Sequence, residues 1–71
     1  MQLGIVGSGA WGTALAISAA RAGSEVKIWS RNNITAADIN NNHQNSAYLG
    51  TLKLEDNITA TTNINDIALS A

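Results

Sequence analysis

The first apolar positions of the chain form a short run that ends at a glycine. Leu3, Ile5 and Val6 lie within residues 2–6, and Gly7 follows directly. A short apolar run bounded by a turn residue is typical of a strand that is buried on both faces, as in a parallel sheet. The pattern therefore predicts the first strand at residues 2–6.

The next apolar positions change to a helical spacing. From Ala10 onward, small and apolar residues recur at intervals of three and four, and Gly23 follows at a position that commonly ends a helix. These residues are Trp11, Ala14, Leu15, Ser18, Ala19 and Ala22. Because most of their side chains are small, the predicted helix can pack very close to a sheet.

Val26, Ile28 and Trp29 predict a second strand, with Lys27 directed to the face opposite Val26 and Ile28. Strand, helix and strand together occupy about 30 residues, which is the length of a βαβ unit. The strands of such a unit are parallel and their connection is right-handed.

Three glycines lie between the first predicted strand and the first predicted helix as G-x-G-x-x-G, which is the context that a dinucleotide-binding fingerprint requires. Gly7 would permit the tight turn off the strand, Gly9 the approach of a pyrophosphate, and Gly12 the close packing of the helix. Unpaired N–H groups around Ala10 and Trp11, in the first helical turn, would face the anion. A tight turn without any ligand is the alternative interpretation.

The end of the second predicted strand indicates which dinucleotide is bound. An acidic residue about 20 positions past the glycines normally holds the ribose 2′-OH of NAD. Here the chain has Trp29, Ser30, Arg31 and Asn32, without a carboxylate. A serine followed by an arginine can instead bind a 2′-phosphate, so NADP is favoured and NAD is the alternative. The competing interpretation makes Arg31 a solvated loop charge.

The spacing of polar residues predicts a second helix that begins near Ala36. Thr35 and Asp38 are spaced as an N-cap residue and its reciprocal acid. Ile34 and Ile39 have the spacing of the hydrophobic staple that often accompanies such a start. The second helix is therefore expected directly after this pair of polar residues.

The remaining residues predict one more strand and the beginning of another helix. The second helix should be short, because residues 40–42 are all asparagine, which favours caps and turns. Residues 43–57 are interpreted as a loop. Residues 58–61 are small or β-branched and predict a third strand, and Asn63 with Asp66 has the spacing of another helix start.

Together these elements predict an α/β fold, a truncated Rossmann-type βαβαβ dinucleotide-binding half with parallel strands. We expect residues 1–71 to form one partial domain whose first strand lacks a neighbour on one side. Its apolar residues Leu3, Ile5 and Val6 would then favour association with other chains. Because so small a core gives little net stability, we expect a weakly cooperative or self-associating species.

Composition and charge narrow the classes of partner and site. The chain has 71 residues, of which 45% are hydrophobic, and it contains no cysteine. This excludes disulfides and thiolate metal sites and fits a reducing compartment, for which the cytoplasm is the default. The formal net charge is −1 and the basic residues are scattered, so nucleic acid is not expected as a partner. Neither a signal peptide nor a membrane span is expected.

Other polar and aromatic residues give weaker evidence for a functional role. His43 lacks a second histidine or a carboxylate at metal-ligand spacing, so we expect a loop hydrogen bond there and no metal site. Trp29 is interpreted as a packing residue. The acidic residues are interpreted as helix caps and solvated surface: Asp38, Glu55, Asp56 and Asp66.

Four stretches of the sequence carry a resemblance to a known family. "GSGAWGTALA", "EVKIWSRN", "INNNHQNSAYLG" and "NITATTNI" resemble the N-terminal portion of bacterial NAD(P)-dependent glycerol-3-phosphate dehydrogenases. The resemblance implies that Ala10 and Trp11 lie at the pyrophosphate of the cofactor and that Arg31 and Asn32 lie near the adenosine ribose. It also implies that Tyr48 contacts the cofactor.

The resemblance further implies an oxidoreductase that interconverts dihydroxyacetone phosphate and glycerol 3-phosphate by hydride transfer. It places the catalytic lysine and the substrate pocket in a later helical domain. We therefore expect no catalytic residue within residues 1–71 and no turnover by this chain alone. The alternative is a non-catalytic or vestigial nucleotide-binding fragment.

Overall fold

Strands and helices alternate along the chain. A computed structural model describes residues 2–46, 50 and 53–70. No helix among these residues is both long enough and apolar enough to cross a membrane. The elements are β1 (Gln2–Val6), α1 (Ala10–Arg21), β2 (Glu25–Trp29), α2 (Asn33–Asn42), β3 (Ile58–Thr61) and α3 (Ile64–Ser70).

The strands form a parallel sheet in the order β1-β2-β3. Leu3 pairs with Val26, which pairs in turn with Ile58. The predicted βαβαβ arrangement is confirmed, and each predicted strand lies within one residue of its observed bounds. Within the described part of the chain, β1 has a neighbouring strand only on the side of β2.

One face of the sheet carries the apolar core. Val26, Ile28 and Ile58 point to this face and are at most 2% exposed. The residues that cover them come from α1, α2 and the segment before β3, and they are Ala16, Ala20, Ile39 and Leu54. Because the α1 residues of this cluster are alanines, the helix lies close to the sheet. The predicted sheet-facing positions of α1 are wrong, however, because most of them are exposed: Trp11, Ala14, Leu15, Ser18 and Ala22.

The other face of the sheet is covered by α3. A Cβ atom placed on Gly4 would lie 2.7 Å from Cγ2 of Ile67, so α3 crosses β1 where a side chain is absent. Trp29 is half-buried, and its indole N–H donates to the carbonyl of Thr62 over 3.1 Å. This hydrogen bond ties β2 to the segment that leads into α3, which agrees with a packing role for Trp29.

The beginning of α2 differs from the prediction. The helix starts at Asn33, and the side chain of Asn32 caps it by accepting from the N–H groups of Ile34 and Thr35 at 2.8 and 3.4 Å. The predicted Thr35 cap, the start near Ala36 and the hydrophobic staple are therefore wrong. Ile34 is 80% exposed and Thr35 is buried, because the asparagine directly after β2 begins the helix earlier.

The end of α2 agrees with the predicted loop from residue 43, and asparagines near this end make specific contacts. The Asn40 amide donates to the carbonyl of Ala60 at 2.9 Å and accepts from its N–H at 2.8 Å. Asn42 donates to the Asp38 carboxylate at 2.9 Å. The helix is ten residues long because it starts at Asn33, and its C-cap is His43, whose φ of 53° is left-handed.

The end of α1 is fixed by Gly23 and by one side chain from the loop before β3. Gly23 has a φ of 98°, as expected for the residue that ends this helix. The Asn57 amide donates to the carbonyls of Ala20 and Ser24 at 3.1 and 2.7 Å. Asn57 thus adds a second donor to the Ala20 carbonyl, which also accepts from the Gly23 N–H at 3.0 Å, and ties the loop before β3 to the end of α1.

We expect Asn40→Ala to lower the free energy of unfolding by about 1 kcal/mol relative to Asn41→Ala, because two partly solvated hydrogen bonds to β3 are lost. Asn41 is a matched control, because it is exposed and its side chain makes no hydrogen bond to a described residue. Replacing either asparagine by alanine raises the helix propensity by the same amount. Urea unfolding in sucrose, which favours the compact state, measures the difference. Identical midpoints for the two variants would contradict the role of Asn40.

Candidate functional site

The loops that follow β1 and β2 meet at the carboxyl edge of the sheet. The Gly7 N–H donates to the carbonyl of Trp29 at 2.9 Å, so the strand pairing continues into the glycine loop. The Ser30 N–H donates to the carbonyl of Thr61 at 2.9 Å, which joins the end of β2 to the end of β3. In open α/β sheets, ligands bind outside this edge.

Two of the three fingerprint glycines are required by the fold itself. Gly7 has a φ of 111°, which is unfavourable for residues that carry a side chain, and it turns the chain away from β1. A Cβ atom on Gly12 would lie 2.6 Å from the carbonyl oxygen of Gly7 and 3.4 Å from Cγ2 of Ile5. Gly12 therefore lets α1 approach the glycine loop as well as the sheet.

Gly9 is not required by the fold. Its φ of −68° and ψ of 177° are accessible to every residue type, and it occupies the N-cap position of α1. A Cβ atom on Gly9 would meet no described atom within 4 Å. A side chain here would extend into open space in front of the helix, so the glycine keeps that space free.

The N–H groups around Gly9 are available to a ligand. Those of Gly9, Ala10, Trp11 and Gly12 form no hydrogen bond with any described residue. The first turn of α1 contains no acidic residue that would neutralise the positive end of the helix dipole. Ala10 and Trp11 are exposed, the latter by 81%. The loop therefore offers donors and a positive potential to an anion.

The carbonyl of Ser8 is turned away from this site and held by two buried side chains. It accepts from Nδ2 of Asn45 at 2.7 Å and from Oγ1 of Thr13 at 3.2 Å. The same Nδ2 atom donates to Oγ1 of Thr13 at 2.9 Å. Thr13 and Asn45 are both 0% exposed, and together they connect the glycine loop, α1 and the segment after α2.

The sequence analysis did not single out Thr13 or Asn45. Thr13 occupies the same face of α1 as the core residues Ala16 and Ala20. A polar residue on that apolar face was the feature that could have indicated its role. For Asn45 the signal was weaker, because it lies in a predicted loop where asparagine is common.

A hydroxyl pair connects the loops after β1 and β2. Ser8 Oγ donates to Ser30 Oγ at 2.9 Å, and the latter also donates to the carbonyl of Asn32 at 3.3 Å and accepts from its N–H at 3.1 Å. Ser30 is 2% exposed. Its hydroxyl is therefore committed to the protein, and the expectation that it binds a 2′-phosphate is wrong.

Arg31 and Asn32 have different environments. Arg31 is exposed and forms no ion pair or hydrogen bond with a described residue. Asn32 is also exposed, but its side-chain oxygen caps α2. Of the residues after β2 expected to contact a cofactor, Arg31 alone has a side chain without a partner among the described residues. Tyr48 lies outside the described residues.

The segment that carries Asn45 is anchored to α2 by Asp38. Its carboxylate accepts from the N–H and the hydroxyl of Ser46 at 2.9 and 2.7 Å and from Asn42. The Ser46 N–H, the Asn42 amide and the Ser46 hydroxyl hold the pKa of Asp38 below its usual value. Asp38 consequently remains ionised at neutral pH, and its contacts persist there.

His43 and the acidic residues do not form a metal site. His43 Nε2 lies 3.8 Å from a carboxylate oxygen of Asp56, and the Asp56 side chain is 97% exposed. No group of three or more metal-ligating side chains occurs in the parts of the chain that the structure describes.

Comparison with known sequences identifies a family. A family model described as the N-terminus of NAD-dependent glycerol-3-phosphate dehydrogenase matches residues 2–71. The chain is 48% identical over 66 residues to glycerol-3-phosphate dehydrogenase (NAD(P)+) of Maricaulis maris, covering 93% of this chain and 20% of that protein. It is 45% identical over 62 residues to the protein of the same name from Corynebacterium jeikeium, covering 87% and 19%. The chain thus spans about a fifth of the length of these relatives.

Solved structures agree with the sequence comparison. Glycerol-3-phosphate dehydrogenase of Coxiella burnetii superposes with a TM-score of 0.89 at 27% identity, over 99% of this chain and 22% of that one. The Plasmodium falciparum enzyme superposes with a TM-score of 0.84 at 29% identity, over 100% of this chain and 22% of that one. The chain therefore belongs to the family of NAD-dependent glycerol-3-phosphate dehydrogenases and represents their N-terminal, NAD-binding part.

Proposed function

We propose that the glycine loop binds the pyrophosphate of a nicotinamide dinucleotide. The observation that carries this proposal is Gly9: neither its backbone conformation nor its neighbours require a glycine, so a ligand is the remaining reason for the missing side chain. The unpaired N–H groups of Gly9, Ala10 and Trp11 would donate to the phosphate oxygens. The exposed Trp11 indole would then flank the bound phosphates.

We further propose that the loop after β2 binds the adenosine end of the cofactor and that it prefers NADP to NAD. The segment from Ser30 to Asn32 contains no carboxylate to bind a ribose 2′-OH or to repel a 2′-phosphate. Arg31 is exposed and free of ion pairs with described residues, so its guanidinium can pair with that phosphate and stack on adenine. Asn32 would lie beside the ribose, and Tyr48 would provide a further contact.

The activity that we propose for the whole protein is the interconversion of dihydroxyacetone phosphate and glycerol 3-phosphate. It is supported by the names of the relatives from Maricaulis maris and Corynebacterium jeikeium. A bound nicotinamide would supply the hydride acceptor or donor for this reaction. The residues of this chain would contribute the binding and orientation of the cofactor's adenosine and pyrophosphate groups, in the cytoplasm. The second candidate is a non-catalytic or vestigial nucleotide-binding fragment.

We expect Gly9→Val to abolish binding of NADPH while the helix content stays nearly unchanged. The branched side chain would fill the space that the pyrophosphate needs, and its Cβ atom would meet no described atom of the protein within 4 Å. Calorimetric titration and far-ultraviolet circular dichroism measure the two effects. Ser18→Val, on the exposed side of α1, is the control and should bind as the unmodified chain does. Equal affinity of the Gly9 variant and the control would refute the pyrophosphate site.

We expect Arg31→Ala to weaken NADPH binding by about 1.5–3 kcal/mol and to change NADH binding little, because only NADPH carries the 2′-phosphate. Arg21→Ala is the matched control, since Arg21 lies at the far end of α1 and pairs with Glu55 at 3.2 Å. Parallel titrations with both cofactors measure the difference. If Arg31→Ala weakens the binding of NADPH and of NADH equally, Arg31 does not contact the 2′-phosphate.

We expect the 71-residue polypeptide alone to show no oxidation of NADPH or NADH with dihydroxyacetone phosphate. The physical reason is that binding one half of a cofactor does not position a hydride against a substrate. Absorbance at the nicotinamide band, with a full-length relative as the positive control, measures this. Turnover above the background of the Gly9→Val variant would show that the 71 residues contain a complete active site.

A further inference from the structure

We propose that Asn45 is a positioning residue for the pyrophosphate site: through the carbonyl of Ser8 it fixes the peptide whose N–H faces the ligand. This inference rests on the proposed function, because it assigns a role within the same site. The amide of Asn45 touches Ser8 and Thr13 and acts on the ligand only through the backbone. It is separated from Ser8 by 37 residues in the sequence.

The geometry of one peptide unit explains the effect. The bond between Ser8 and Gly9 is trans, as are the other peptide bonds of the described residues, so its C=O and N–H point in opposite directions. The C=O points inward to Asn45 and Thr13, and both donors occupy it. The Gly9 N–H is consequently directed away from these buried side chains, and it has no partner among the described residues.

Without these donors the same peptide would have a second orientation available. Rotation of the unit changes ψ of Ser8 and φ of Gly9, and glycine accepts positive φ values that other residues avoid. The rotated peptide would direct its carbonyl oxygen at the anion and remove a donor from it. The glycine that leaves room for the pyrophosphate therefore makes the loop flexible, and the hydrogen bonds to Ser8 restrict it again.

The surroundings of Asn45 support a role beyond packing. The side chain is fully buried, yet its Oδ1 atom has no hydrogen-bond partner in the described part of the chain. Burying an unpaired amide oxygen costs free energy that an apolar side chain of the same size would avoid. The contacts of Asp38 with Ser46 hold the adjacent residue in place, so the amide donor has a fixed position.

The experiment compares Asn45→Ala with Asn57→Ala in the 71-residue chain labelled with ¹⁵N and titrated with NADPH. Asn57 is a matched control, because its amide also donates to two carbonyl groups, but these lie at the C-terminal end of α1, away from the glycine loop. We expect Asn45→Ala to weaken NADPH binding by about tenfold and to reduce the shift of the Gly9 amide resonance on binding. Asn57→Ala should lower the melting temperature but leave the affinity and the Gly9 shift of the folded molecules intact.

A second pair of variants decides the question if Asn45→Ala does not fold. Thr13→Val keeps the shape of the side chain and removes the hydroxyl donor, whereas Thr13→Ser keeps the hydroxyl and removes a methyl group. A positioning role requires Thr13→Ser to bind NADPH more tightly than Thr13→Val, and a packing role requires the reverse or no difference in affinity. Wild-type affinity and a wild-type Gly9 shift in Asn45→Ala would overturn the inference. Absence of NADPH binding by the unmodified chain would instead overturn the proposed function.

Discussion

The parallel pairing of β1 with β2, continued by the hydrogen bond from the Gly7 N–H to the Trp29 carbonyl, is the constraint on which the site depends. Because both strands run in the same direction, their following loops emerge at the same edge of the sheet. The hydroxyl pair of Ser8 and Ser30 then joins the two loops. The glycine loop and the loop after β2 thereby become parts of one surface.

The glycine loop presents unpaired backbone N–H groups, and buried side chains beneath it hold its Ser8 carbonyl. A glycine loop leaves space for phosphate only by giving up the side chains that would restrict its conformation. Thr13, Ser30 and Asn45 compensate for that freedom from inside the protein, where they are at most 2% exposed. Polar groups in a core are costly, so their concentration under this loop indicates that its geometry matters.

The two outer strands of the described sheet differ in how their edges are covered. Next to β3, the Asn40 amide occupies both backbone hydrogen-bonding groups of Ala60, which blunts that edge. On β1, Leu3 and Val6 are 38% and 63% exposed. Within the described residues, the β1 edge is therefore the one that no side chain is seen to cap.

Local sequence patterns determined the α/β class, the bounds of the strands and of α1, and the glycine loop, because backbone preferences and apolar periodicity act over a few neighbouring residues. The roles of Gly7 and Gly12 followed from the same local geometry. The sequence could not distinguish Asn32 from Thr35 as the cap of α2, since both residue types cap helices well. It also could not show that Ser30 is buried and engaged with Ser8, 22 residues away.

Only the tertiary structure decided which polar side chains support the site. Asn40, Asn45 and Asn57 are indistinguishable by local pattern, yet one covers a strand edge, one holds the Ser8 carbonyl and one caps α1. An asparagine amide binds whatever donor or acceptor the folded chain brings to it, and these partners lie 20 to 37 residues away. The sequence therefore specified where an anion could bind, and the packing of distant loops specified how its binding groups are held.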